Sequence, residues 1–271
     1  YCDDSGANAV FYTRAINPNK GLRDLVTASG WRDNHVLVKQ GGTDLARSDD
    51  AAWWGNSVID LGTVNDTGAR VSLTTSGNIY VFDANLTTRG FDLEADKIAI
   101  VGLASNVLTG GGLTADCNSK KCIVYIEKDY SWLEGRYTPG CTTAGDCMAF
   151  YYKTNADHGR IQNTHAYGGG NAIYSQTFAD GHTFRDTQVY NNTGKGIHMN
   201  GYGGGHIIHR CRIVDSGASG IHFDGQGGTF EDMVVAESVI SNSQSYAFYA
   251  EGDKTNLVRS IVSNNHTAVY Y

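Results

Sequence analysis

A repeat of about 24 residues constrains this chain more than any other feature. From residue 158 onward, the segments IQNTHAYGGGNAIYSQ, FRDTQVYNNTGKGIHMNG, IHRCRIVDSGASGIHFDG, VAESVISNSQSYAFYAEG and VRSIVSNNHTAVYY align with one another. One apolar column reads Ala166, Val189, Ile213, Ile240, Val262, at spacings of 23, 24, 27 and 22 residues. A second reads Ile173, Ile197, Ile221, Phe248, Val269, at spacings of 24, 24, 27 and 21, and Phe150 extends it one coil earlier. Short apolar strands separated by Gly, Asn and Ser turns at a fixed period predict stacked coils, each burying its apolar side against the next. Long stretches of 3.6-residue periodicity, which helical repeats need, are absent. The Leu/Asn pattern of leucine-rich repeats is also missing. The predicted class is all-β, a right-handed parallel β-helix.

A third column, Thr164, Thr187, Cys211, Ser238 and Ser260, holds only small residues and predicts a tight turn or inward slot. Cys211 is then a buried ladder residue rather than a reactive thiol. With these columns in place, the chain resembles the pectin-lyase-like right-handed β-helix superfamily over about residues 71–271. The segment GNIYVFDANLTTRGFDLEADKIAIVG (77–102) resembles the opening coils of that fold. The resemblance is architectural and carries no family-specific catalytic motif. It implies that one sheet's outer face lines a substrate groove.

Residues 1–70 do not repeat and are expected to form an N-terminal cap, with 71–271 as the β-helix. Within the cap, KGLRDLVTA (20–28) reads as a short amphipathic helix, and TDLARSDDAAWW (43–54) as another, N-capped by Thr43. Trp53 and Trp54 would plug the helix end or form a sugar-stacking platform. The last coil stops inside a strand, and an open end of that kind invites edge association, either in a homo-oligomer or an end-to-end filament.

Composition bounds the partners. The 271 residues carry a formal charge of −7, with 34 Gly and 2 Pro. That balance argues against nucleic acid, which is bound by basic surfaces. No apolar run approaches the ~20 residues of a membrane span. A chain opening at Tyr1 rather than Met fits a processed, exported protein. Cys117 with Cys122, and Cys141 with Cys147, read as two disulfide loops in an oxidising compartment. The alternative, a four-thiolate zinc site, lacks the usual two-residue spacers. Cys2 has no obvious partner. The expected location is extracellular, or a cell or virion surface. Asn65, Asn85, Asn191 and Asn265 head glycosylation sequons.

The chemistry is expected on the outward face. Strand side chains alternate in and out, so the residues following the inward isoleucines form an outer row: Tyr151, Tyr174, His198, His222, Tyr249, Tyr270. Two residues further on runs a second row: Lys153, Gln176, Asn200, Asp224, Glu251. With coils ~4.8 Å apart, rings and polar groups in two lines suit an extended polysaccharide. The rings offer flat surfaces to sugars, and the amides and carboxylates bind hydroxyls. The bland alternative is a ladder that only stabilises the solenoid.

Asp224 beside Glu251 reads three ways. The two would be the acid and nucleophile of a retaining glycosidase, a calcium site with Asn200, or a pair screened by Lys195 or Lys254. The unrepeated loop 225–232 (GQGGTFED) leaves their stacking open. His198 or His222 could serve a lyase as base, with Lys195 or calcium neutralising charge. The β-helix lyases that the chain resembles tend to use Arg or Lys, and no Arg occupies these rows. The two histidines with Asp224 could also hold a transition metal. His158, His182 and His206 read as turn residues, and the Gly runs at 168–170 and 203–205 as turns rather than phosphate loops. The functional expectation is a carbohydrate-handling protein that binds or cleaves a polysaccharide, a virion tailspike being a special case. The alternative is a structural or adhesive fibre subunit.

Overall fold

A computed structural model of the chain describes residues 58–270 except 104, 142–145, 202, 226–229 and 252–254. It also describes the backbone at 2–3 and 10–11. The helices expected at 20–28 and 43–54, Trp53, Trp54, Lys254 and the side chain of Cys2 lie outside the described residues.

The described chain is a parallel β-solenoid, as the repeat predicts, and the structure shows three strand positions per coil. Face A runs through nine strands, from Val58–Asp60 and Ile79–Phe82 to Met233–Ala236 and Thr255–Val258. Face B begins at Leu86–Thr88 and Val107–Gly110. It passes through the second halves of Trp132–Thr138 and Arg160–Tyr167, then Gln188–Asn192, Arg212–Ser216, Val239–Ser241 and Ile261–Ser263. Face C holds Val71–Leu73, Phe91–Leu93, Lys121–Ile126, Cys147–Tyr152, Asn171–Ser175, Ile197–Asn200, Ile221–Asp224, Tyr246–Ala250 and Thr267–Tyr270. The ladder takes in Val58–Asp60, which pairs in parallel with Ile79–Phe82, so the solenoid reaches into the segment expected as cap. A four-residue helix, Leu61–Val64, follows, its first turn capped by the Asp60 carboxylate accepting from Gly62 N–H at 2.8 Å.

The apolar columns read from the sequence are the inward ladders. Phe150, Ile173, Ile197, Ile221, Phe248 and Val269 are successive register partners. So are Ala166, Val189, Ile213, Ile240 and Val262. Each fully buried Ile or Phe in such a column contributes roughly 1.5–3 kcal/mol of hydrophobic stabilisation.

Corners are made by single residues in the left-handed backbone region. Asn163, Asp186, Arg210, Glu237 and Arg259 turn face A into face B, with φ between 46° and 52°. Asn and Asp tolerate that region, whereas Arg and Glu are held there against a cost of about 1–2 kcal/mol. From Asp186 onward the charge alternates from coil to coil. Arg210 makes two bonds to the Asp186 carboxylate, at 2.7 and 2.6 Å, and Arg259 lies 3.7 Å from Glu237. The residue after each corner is the small column. Thr164, Thr187, Cys211 and Ser238 are buried, and their hydroxyl or thiol groups donate to carbonyls of the preceding coil or their own. Burial pushes the Cys211 thiol up to about 12, so this cysteine is inert, as expected.

The corner from face C to face A carries a second ladder that is not evident from the repeat alignment. The Asp129 backbone N–H donates to the Asp96 carboxylate, Asp157 to Asp129, and Asp180 to Asp157, at 3.2, 2.9 and 2.8 Å. Gly204 N–H then donates to Asp180 at 2.7 Å. Beside this corner, His182 and His206 follow the turn glycines Gly181 and Gly205, as expected, but their side chains point inward. Both are buried and stacked on each other at 5.1 Å, with Tyr152 4.2 Å beyond His182. Only His158 sits on the corner itself, at φ 55°.

Both disulfides expected from the spacing are formed, Cys117–Cys122 and Cys141–Cys147. Among the described residues no helix is long and apolar enough to cross a membrane.

Candidate functional site

The outward row of face C exists in register and is longer than expected. Asp92, Tyr125, Tyr151, Tyr174, His198, His222, Tyr249 and Tyr270 are successive partners across the face. Seven rings therefore run in one line, each about 4.4–5.3 Å from the next. Tyr125 was missed because its coil carries an insertion that breaks the repeat alignment.

The row divides into two halves. In the first, Arg70 lies across the face. Its guanidinium donates to the Asp92 carboxylate at 2.9 and 2.7 Å, to Cys122 O at 2.8 Å and to Phe91 O at 3.0 Å. Burial raises the Asp92 pKa more than Arg70 lowers it. The Cys117–Cys122 loop packs with Tyr125, Met148 and Tyr151 in a small cluster of its own. Asn118 donates to the Tyr151 hydroxyl, which donates in turn to Gln176 Oε1, both at 3.1 Å. Tyr151, expected to contact sugar, is only 2% exposed. It is a structural residue under the disulfide loop, and Gln176 is drawn into the same cover. Lys153 is paired with Glu127 at 2.5 Å.

The second half, from Tyr174 to Tyr270, is open. Lys195, His198, Asn200, His222, Asp224 and Tyr249 are partly exposed, and Glu251 is exposed. Asn200 and Asp224 are register partners, and Glu251 N–H donates to Phe223 O at 3.0 Å, which places Glu251 on the coil after Asp224. Three of this half's rings turn their faces to one another. His222 and Tyr249 stack at 4.4 Å and 8°, Tyr249 and Tyr270 at 4.8 Å and 2°. In this stretch the flat faces expected for sugars are taken up by stacking between coils. The physical reason is the coil spacing, which lets rings on adjacent strands satisfy each other's faces.

The polar groups are mutually engaged. Lys195 Nζ lies 3.1 Å from His198 Nε2, and Asn200 donates to the Tyr174 hydroxyl at 2.8 Å. Tyr249 donates to Glu251. His222 has Nδ1 3.4 Å from Ser219 Oγ and Nε2 4.0 Å from Asp224 Oδ2. Burial, reinforced by Lys195, pushes His198 down to about 2 and His222 to about 4, while burial lowers Lys195 to about 8. Both imidazoles are therefore neutral at physiological pH. A general base works best with a pKa near the working pH, so the lyase role expected of His198 or His222 is poorly served. Of the residues expected to hold a cation, the structure brings Asp224 together with the two histidines. The Glu251 carboxylate is turned to Tyr249 instead.

A separate hollow on face B is lined by Gln188, Tyr190, Asn191, Arg212, Val214 and Asp215. It lacks the imidazole–carboxylate grouping of face C. No family model, curated protein or solved structure matches the chain. The parallel solenoid is thus established by the structure itself, without a demonstrated tie to the pectin-lyase-like superfamily.

Proposed function

We propose that the open half of face C binds an extended, uncharged polysaccharide outside the cell, without cleaving it. The supporting observation is the registered pair of rows from Tyr174 to Tyr270, with Asn200, Asp224 and Glu251 alongside. Donors and acceptors repeat there at strand spacing, ~4.8 Å, over five coils. Sugar hydroxyls are both donors and acceptors, and a mixed row of amide, carboxylate, imidazole and phenol serves both roles. An uncharged polymer fits a chain with a net charge of −7, whose second row ends in two acids. Binding is favoured over cleavage because Glu251 is hydrogen-bonded by Tyr249 and neither histidine is tuned for proton transfer. The two disulfides fit an oxidising, extracellular setting.

The test is a binding screen of neutral and acidic polysaccharides, with reducing-end release followed in parallel. Retention by a neutral polymer that drops about tenfold in Asn200→Ala and Asp224→Asn supports the reading. Binding that survives both substitutions, or no binding across the panel, overturns it. Release of reducing ends would convert the site to a hydrolase.

A further inference from the structure

We infer that His198, His222 and Asp224 form a binding site for a borderline transition-metal dication such as Zn²⁺. Each residue can supply one ligand atom such that all three atoms lie within 4.8 Å of one another. The fold sets up this closeness. His198 and His222 are register partners on adjacent strands, and Asp224, two positions beyond His222, points to the same side.

Two further observations point to a guest. The first is orientation. His222 has Nδ1 beside Ser219 Oγ at 3.4 Å and Nε2 towards Asp224 at 4.0 Å. Imidazoles that ligate metals are held this way, one nitrogen fixed by a hydrogen-bond partner and the other free for the ion. The second is an unmet need for partners. Asn200 Oδ1 is a buried atom with no hydrogen-bond partner among the described residues, and Asn200 is the register neighbour of Asp224. Buried polar atoms are nearly always satisfied, and Asn200 Oδ1 offers a further oxygen beside the three-ligand cluster.

The donor set chooses the ion. Imidazole nitrogens suit Zn²⁺, Cu²⁺ and Ni²⁺, whereas Ca²⁺ takes several oxygens. Three protein ligands leave a fourth position for water or a hydroxyl. Lys195 Nζ, 3.1 Å from His198 Nε2, is the cation with which the ion would compete.

The test uses the full chain and no sugar, so its outcome is independent of the polysaccharide reading. Co²⁺ is titrated while visible d–d absorption is followed, then displaced with Zn²⁺, with Ca²⁺ as control. Expected are one ion per chain, displacement by Zn²⁺ but not Ca²⁺, and loss of the band in His222→Ala and Asp224→Asn. His209→Ala, whose imidazole pairs with Glu237 at 3.3 Å near the A–B corner, should keep it. Ser219→Ala should weaken binding about tenfold. Circular dichroism checks folding. If His222→Ala does not fold, the near-isosteric Asp224→Asn carries the result. Absence of the band in the unmodified protein, or its survival in folded Asp224→Asn, overturns the site.

Discussion

The two halves of the outward row on face C share strands, register and residue type, yet one is structure and the other is surface. At Tyr125 and Tyr151 the rings are 7% and 2% exposed, closed over by Arg70 and the Cys117–Cys122 loop. From Tyr174 to Tyr270 the same row emerges, and Tyr270 is 47% exposed. A column of aromatics on a solenoid is therefore not itself a binding site. What decides is whether a neighbouring segment has already taken it.

The comparison breaks most strongly at Arg70. Its side chain is 7% exposed and serves Asp92 together with two carbonyl oxygens of neighbouring strands. Arg70→Ala leaves a mostly buried carboxylate without its cation, which costs about 3–5 kcal/mol, measurable as a lowered denaturation midpoint. A loss under 1 kcal/mol would mean that the first half is not held by this residue. The next effect is smaller. Removing the Cys117–Cys122 bond by Cys117→Ser with Cys122→Ser should cost about 2 kcal/mol for so short a loop. It should also uncover the row. Burial pushes both Tyr125 and Tyr151 up to about 12, so in the unmodified protein these phenols resist ionisation. Because the folded state holds those protons more tightly, stability should fall as pH rises from about 10 towards 12. In the double serine variant the two tyrosines should titrate nearer 10 by ultraviolet absorbance. Unchanged titration would show that something other than the loop covers them.

This difference between halves was only partly legible in the sequence. The coils, the inward columns and the outward rows could be read because period-two alternation and a near-constant spacing carry through from Phe150 to Val269. The cover over Tyr151 could not, since the Cys117–Cys122 loop occurs once and has no repeat partner to align. Ring orientation was also beyond reach. Register predicts that His222 and Tyr249 are neighbours but not that they spend their faces on each other. The Asp96, Asp129, Asp157 and Asp180 ladder did have a signal, an Asp just before each corner residue, but its uneven spacing hid it. His182 and His206, one residue past the corner glycines, were assigned to turns because a backbone turn does not reveal which way the next side chain points.

The open half should respond to acid where the covered half responds to alkali. His222 is pushed down to about 4 by burial and by Lys195, below the ~6.5 of an unfolded chain. Between those values the unfolded state binds the proton and the folded state does not. Stability contributed by neutral His222 is therefore lost as pH falls from about 6.5 towards 4, with a limiting slope of about 1.4 kcal/mol per pH unit. His222→Asn should flatten the acid limb of the stability curve by up to that slope, with little change above pH 7. An acid limb identical in the variant would place the titration elsewhere, with His182, His198 and His206, all pushed down by burial, as the remaining imidazoles.

The smallest expected effect separates the halves most cleanly, because it uses the same substitution twice. Tyr151→Phe deletes a buried hydroxyl that accepts from Asn118 and donates to Gln176. It should cost about 1 kcal/mol and leave sugar retention unchanged. Tyr249→Phe deletes a hydroxyl that donates to the exposed Glu251. It should change stability by no more than about 0.5 kcal/mol while weakening polysaccharide retention, because under the proposed function both the phenol and the carboxylate it orients face the polymer. Each ring stays in place, so the stacking of the row is conserved in both variants and only the hydroxyl is tested. If Tyr249→Phe destabilises as much as Tyr151→Phe and leaves retention untouched, the open half is a structural ladder like the covered one, and the polysaccharide must be sought on another face.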